Sequence, residues 1–274
     1  MTSEPPGEQI LAHRWLGADA PYLDAPFVTR CGSVVAGCYG GSTAVGADKN
    51  EDGALVWCAA DGSWEFALLL DAHFSSQSAT LILGAIEAEG RILRRLLDQP
   101  AESAFPSLHQ HLYALFRSPA FRAECRQVIG EASCLICARK ENFLWWLNVG
   151  DCVAYLFHPE LARLGQYALN QRSFFEWIGH TNTFDLPVPC YATGTRELFR
   201  GQSRIVMVTD GLLEFGRRPF ENPVHLYRLF MASHRGGADD LETNVRAALA
   251  QVHQGNGRDS ATIVAWNYTW GAER

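Results

Sequence analysis

The sequence has no apolar run long enough to cross a bilayer, which takes about 20 residues. Residues 1–22 carry Glu4, Pro5, Pro6 and Glu8 where a secretory leader needs an apolar stretch. Positive charge is not in excess: 23 Lys and Arg against 30 Asp and Glu give a net charge of -7. That balance argues against a general binder of nucleic acid or of membrane surfaces. Internal repeats, low-complexity tracts and composition breaks are also missing. The expectation is a soluble, cytoplasmic, monomeric protein with one domain over residues 1–274. Residues 1–25, with prolines at 5 and 6 and again at 21, form an irregular or edge segment.

Familiar catalytic signatures are absent too. Gly41 to Gly46 has the glycine spacing of a P-loop, but Ala47-Asp48 follows where Lys-Ser/Thr is required. Gly40-Gly41-Ser42-Thr43-Ala44 lacks the strand and helix that flank a nucleophile elbow. His109 and His111 are two apart on a helical pattern, so they do not share a face as a zinc pair would. Of eight cysteines, Cys58, Cys134, Cys137 and Cys152 fall inside apolar runs, where free cysteine acts as a small hydrophobe. Cys134 and Cys137 are spaced CxxC on a strand pattern, which points them to opposite faces and away from redox or zinc chemistry.

What the chain does contain is 47% hydrophobic residues, enough for a substantial core. Strand patterns cover 32–39, 54–60 and 64–70, with Asp61-Gly62 as a hairpin turn. After His73 the pattern turns to helical period and ends before Pro100, with further helices at about 104–117 and 119–128. Strands return at 132–138, 143–149 and 152–157, and again at 188–192 and 204–209. Helices are expected at 222–233 and 238–253, and a last strand at 260–268. Helices grouped between sets of turn-linked strands indicate an α+β fold with antiparallel sheets.

Four acidic signatures stand at the ends of four apolar runs. Phe66 to Leu70 leads into Asp71-Ala72-His73, and Arg204 to Thr209 into Asp210-Gly211. Asn50-Glu51-Asp52-Gly53 precedes Ala54 to Cys58, and Arg258-Asp259-Ser260 precedes Ala261 to Trp266. In antiparallel strands, the end of one run and the start of the next share a rim. Four or five carboxylates gathered there are costly unless a cation neutralises them. Oxygen ligands on rigid strand ends suit a hard divalent ion, and a pair of ions can activate water near neutral pH. His73 stands two residues from Asp71, where it can act as general acid. Taken singly, each aspartate also fits a turn or helix cap.

These motifs, with Gly150-Asp151-Cys152-Val153-Ala154-Tyr155-Leu156 and Asp259-Ser260-Ala261-Thr262-Ile263-Val264, resemble in order and spacing the metal-dependent protein phosphatases (PPM, or type 2C) over about 33–268. The resemblance implies an α-β-β-α four-layer sandwich and two Mn²⁺ or Mg²⁺ ions between the sheets. It also implies hydrolysis of phosphoserine or phosphothreonine on a phosphorylated protein by a metal-bridging water. Asp71 would bridge the metals and the Ala72 carbonyl would ligate one. Asp210 and Asp259 would ligate the other, with Asp52 a further ligand and Glu51 holding metal-bound water. His73 matches the general acid. This chain departs from the family pattern at Ala72, where glycine is usual. It departs again at Ala47, where the family's phosphate-binding arginine stands, which leaves Lys49 for the phosphate. Asp151 reads as a turn residue, and Ser260 replaces an asparagine. The stretch 165–187, with Arg172, Phe174, Phe175, Trp177 and His180, is expected to lie beside the site and help select substrate. The alternative is a regulatory or binding domain that keeps this fold with weak or no catalysis.

Overall fold

The computed structural model describes residues 9–231 and 238–271. In chain order the strands and helices begin with β1 (Ile10–Leu16), β2 (Phe27–Cys31), β3 (Val34–Tyr39), β4 (Gly53–Ala59) and β5 (Trp64–His73). Four helices follow: α1 (Gln77–Ala88), α2 (Gly90–Leu97), α3 (Ala101–Arg117) and α4 (Pro119–Cys125). The chain then returns to strands with β6 (Glu131–Lys140), β7 (Phe143–Val149) and β8 (Val153–Phe157), a short α5 (Pro159–Arg163), and β9 (Ile178–Gly179). It finishes through β10 (Ala192–Glu197), β11 (Gly201–Val208), α6 (Gly211–Glu214), α7 (Pro223–Met231), α8 (Ala238–Gln254) and β12 (Ala261–Trp270).

The strands form two antiparallel sheets. One runs β1-β4-β5-β6-β7-β10, with β9 beside β6; the other runs β2-β3-β12-β11-β8. Alternation along β5 shows how the layers stack: Leu68 and Leu70 face α1–α4, while Ala67 and Leu69 face the second sheet. A third core lies between the second sheet and α7 and α8, around Val206, Phe230 and Leu249. The expected α-β-β-α sandwich is therefore present. Because both faces of each central strand are covered, the runs read as continuously apolar. Cys134 and Cys137 divide between two cores as their spacing requires. All eight cysteines are free. No helix among the described residues is long and apolar enough to cross a membrane.

Several expectations need correction. Of the two forms expected for the N-terminal segment, Ile10–Leu16 takes the edge form and not the irregular one: β1 is the outermost strand of its sheet and pairs with β4 from Ile10↔Ala59 to Leu16↔Gly53. A further strand, β2, pairs with β3 through a turn at Gly32. The single helix expected between His73 and Pro100 is two, parted at Glu89. A Cβ on Gly90 would stand 3.1 Å from the Trp57 ring, so the break lets that indole pack on bare backbone. The strand expected at 188–192 lies at 192–197 and pairs with β7. Residues 232 and 233 of the expected helix lie outside the described residues.

The sheet register sets the rim. β5 runs on past Leu70, where β4 begins at Gly53, and reaches His73 opposite Glu131. β11 ends at Val208 beside the starts of β8 and β12. The starts of β4, β6, β8 and β12 thus meet the ends of β5, β7 and β11.

Candidate metal centre

Asp71 lies inside strand β5 and is 3% exposed. The Ala72 methyl packs into the core beneath α1–α4, so the pleat turns Asp71 and His73 to the opposite face, toward the second sheet. The Cβ that distinguishes Ala72 from glycine is thus accommodated in regular strand. Asp71 does not cap α1, and Asp210 makes no side-chain cap on α6. Both carboxyls are left for the cleft. Glycine at 211 is needed there, because a Cβ would stand 1.9 Å from the Ser260 carbonyl oxygen. That close approach draws the end of β11 against the start of β12 and brings Asp210 toward Asp259.

The carboxyls feel one another strongly. Burial pushes the Asp71 carboxyl well above its ordinary range, with Asp210, Asp52, Asp259 and Asp151 adding to the shift. Asp210 is pushed up to about 6, chiefly by burial and then by Asp259 and Asp151. Asp259 is raised too, through desolvation on its inner side, although its outer side reaches solvent, which screens the effect. The nearby His73 pulls Asp259 the other way. His73 Nδ1 stands 3.9 Å from Asp71 Oδ1, and its ring meets the Trp177 indole edge-on at 5.0 Å.

Asp52 has a different setting. It is 0% exposed and accepts hydrogen bonds from three hydroxyls of the other sheet. Thr262 Oγ1 donates at 2.6 Å, Ser260 Oγ at 2.9 Å and Thr209 Oγ1 at 3.2 Å. Burial pushes its carboxyl up to about 7 against the pull of Thr262 and Ser260. Asp52 is therefore a clasp between the sheets whose two oxygens are already engaged. Glu51 is half-buried and ion-paired to Lys49 at 2.9 Å, without hydrogen-bond alignment at Oε1. Lys49 Nζ also donates to the Phe74 carbonyl at 3.0 Å. The Lys49 ammonium is thus held by two protein oxygens.

Three participants were not legible as such. Asp151 is buried, and the Ser133 hydroxyl accepts from its N–H and that of Cys152, both at 3.0 Å. Ser133 faces Asp71 across the β5–β6 ladder, so the turn carries Asp151 into the cluster. Its place after β7, on the same rim, was the available signal. Glu214 follows Asp210 by one turn of α6. The third is Arg172. Tyr167 to Leu169 run beside β8 through Leu156 N–H to Tyr167 O and Leu169 N–H to Ala154 O, each 2.8 Å. Ser173 N–H then bonds the Gly150 carbonyl at 3.1 Å, which delivers Arg172 to the rim. Its guanidinium reaches Asp151 at 3.3 Å, Asp210 at 3.2 Å and Glu214 at 2.7 Å. Beyond it, Ile178 and Gly179 pair with β6, so the stretch 165–187 straps the cleft from one sheet to the other.

Asp71 Oδ2, Asp151 Oδ1 and Asp210 Oδ1 are buried and have no hydrogen-bond partner among the described residues. Orphaned carboxylate oxygens of this kind fit a hard divalent cation. Among the described residues, however, no three acidic, His or Cys side chains already converge on one ion position. Asp151, Asp210 and Glu214 are instead spread around the Arg172 guanidinium. Asp71 feels both Asp210 and Asp259, Asp210 feels Asp259, and His73 stands beside Asp71. Ala72 adjoins them in the strand, and Asp52 is turned into the clasp.

No family model matches the chain, and no curated protein matches it. Solved structures do. A bacterial serine phosphatase aligns with TM-score 0.61 at 13% identity, over 91% of this chain and 98% of its own. The catalytic domain of the serine/threonine protein phosphatase PstP, in complex with two manganese ions, gives 0.54 at 13%, covering 94% and 97%. RsbX in complex with magnesium gives 0.55 at 14%, covering 89% and 100%. By its layers, its sheet order and these neighbours, the chain has the fold of the PPM-type serine/threonine phosphatases.

Proposed function

We propose that this protein is a divalent-metal-dependent phosphatase that hydrolyses phosphoserine and phosphothreonine on proteins. The observation that carries the reading is the set of buried carboxylates with orphaned oxygens on one rim of this fold. Two of the similar structures hold manganese or magnesium. Asp71, Asp210 and Asp259 would hold two Mn²⁺ or Mg²⁺ ions, assisted by the Ala72 carbonyl and by Glu51. When bound, the ions would neutralise the cluster and activate water near neutral pH.

This chain's own residues would do the rest. Asp52 ties β4 to β11 and β12 and keeps the two halves of the ligand set in register. His73, held between Asp71 and the Trp177 ring, can give its proton to the leaving oxygen of the phosphoester. With divalent charge bound, Arg172 would give up its ion pairs to Asp151 and Asp210.

The ion pairs of Arg172 specifically favour the second reading, a binding domain of this fold whose cluster is satisfied by an internal cation. Mn²⁺-dependent hydrolysis of an aryl phosphate and of a phosphoserine peptide separates the two. Turnover that requires Mn²⁺ and is lost in Asp71→Asn is expected. A rate equal to that of Asp71→Asn leaves the binding-domain reading.

A further inference from the structure

One cation beside the cluster has no protein partner among the described residues. Arg258 precedes Asp259, is exposed, and makes no ion pair or hydrogen bond among the described residues. Its backbone is nonetheless held. Gly41, at φ +90, packs so closely on the Arg258 carbonyl that a Cβ would stand 2.1 Å away. Next to it, Ser42 N–H bonds the Gly257 carbonyl at 2.8 Å. A fixed backbone thus carries an uncommitted guanidinium.

That guanidinium lines a cavity of about 300 Å³ together with Gly46, Ala47, Lys49, Glu51 and Asp259. Gly46 and the buried Ala47 leave room along its stem: Arg258 Nε is 4.0 Å from where a Cβ on Gly46 would lie. Lys49, the other cation on the wall, is already engaged by Glu51 and the Phe74 carbonyl. Asp48, Glu51 and Asp259 outnumber the two cations on this wall, so the cavity alone does not favour an anion. Divalent charge at Asp259 reverses that balance. The wall then presents one free, planar, bidentate donor beside the place where charge is neutralised, which suits a phosphoryl group.

We infer that Arg258 grips the phosphoryl group of the substrate, and the phosphate released from it, in this cavity. Lys49 is instead a fixed strut between the loop before β4 and the turn after β5. The inference rests on the proposed metal-dependent reading of the same rim, and its test is chosen to separate the two.

The probe is inorganic phosphate, titrated calorimetrically into the Mn²⁺-loaded full chain. Arg258→Ala should weaken phosphate about ten- to hundredfold, the loss of a charge-assisted bidentate contact. Arg258→Lys should recover part of it, and Arg95→Ala, on the exposed side of α2, none of the loss. Mn²⁺ affinity, read separately, should be kept in Arg258→Ala. Unchanged phosphate affinity in Arg258→Ala overturns the inference. So does a loss confined to Lys49→Ala, wild-type protein that takes up no phosphate, or loss of Mn²⁺ together with phosphate in both Arg258 variants. Phosphate bound through Arg258 without any hydrolysis would instead sink the phosphatase reading and leave the grip standing. Hydrolysis with KM and phosphate inhibition unmoved by Arg258→Ala would do the reverse.

Discussion

Replacing Arg172 with glutamine should loosen the metal-free protein and tighten its hold on Mn²⁺. In the metal-free cluster the guanidinium faces Asp151, Asp210 and Glu214 at 2.7–3.3 Å, with 20% of its side chain exposed. Breaking a fully buried ion pair costs about 3–5 kcal/mol. Partial exposure lowers that figure, and carboxyls that take up protons lower it further, which leaves about 2 kcal/mol. For a chain of this size that is a fall of about 4–8 °C in Tm. The same energy should reappear in metal binding. Divalent ions must displace the guanidinium in the wild type and need not in the variant. If the metal-bound states are alike, about 2 kcal/mol lost by the metal-free form becomes roughly 30-fold tighter binding. Calorimetric titration of Mn²⁺ into chelator-treated protein at pH 7 reads the affinity, and thermal melts with and without MnCl₂ read the two stabilities. Equal falls in Tm with and without Mn²⁺, or weaker Mn²⁺ binding in Arg172→Gln, would show that Arg172 and the ions do not compete. Arg172 would then be a fixed part of the site and no stand-in for an ion.

The metal-free protein should also lose stability as pH rises from about 4 to 7, the reverse of the usual carboxylate behaviour. Asp52 and Asp210 titrate near 7 and 6 in the fold against about 3.9 unfolded, so the native state binds more protons across that window. Melts in chelator at stepped pH check the sign, and a Tm that climbs with pH contradicts it. Thr262→Val removes the 2.6 Å donor to Asp52 and should destabilise the fold by about 1–3 kcal/mol, measured by urea unfolding. A Thr262→Val change of under 0.5 kcal/mol would show that Asp52 does not need that hydroxyl. Shuffling residues 172–180 within the strap should impair hydrolysis of a phosphoprotein more than that of an aryl phosphate. Equal effects on both would remove its role in selecting substrate.

Layering was legible because each core strand is covered on both faces, so strands such as β5 and β6 read as apolar runs of strand length. The four aspartates stood out for the same reason, being charges placed where such runs stop. What escaped depends on partners distant in the chain. β1 (Ile-Leu-Ala-His-Arg-Trp-Leu) has no clean alternation and is a strand because β4 offers it an edge. The break at Gly90 exists for the ring of Trp57, and the polar edge strand β10 seats Gly194 against Trp146, 2.3 Å from where a Cβ would be. Asp52 read as a metal ligand from its place in the motif, yet its hydroxyl donors come from β12, from Ser260 just before it and from Thr209 just after β11, more than 150 positions away. Arg172 could be seen only as one basic residue in an aromatic loop, since its carboxylate partners come from two separate turns.

The rim around Asp71 is proposed as a two-ion divalent metal centre. Anomalous diffraction at the manganese edge, from crystals grown with MnCl₂, tests it most directly. Two manganese peaks between Asp71, Asp210 and Asp259, both lost in Asp71→Asn, are the expected result. No peak at this rim in the wild type, or the same peaks in Asp71→Asn, would rule out a two-ion centre held by Asp71.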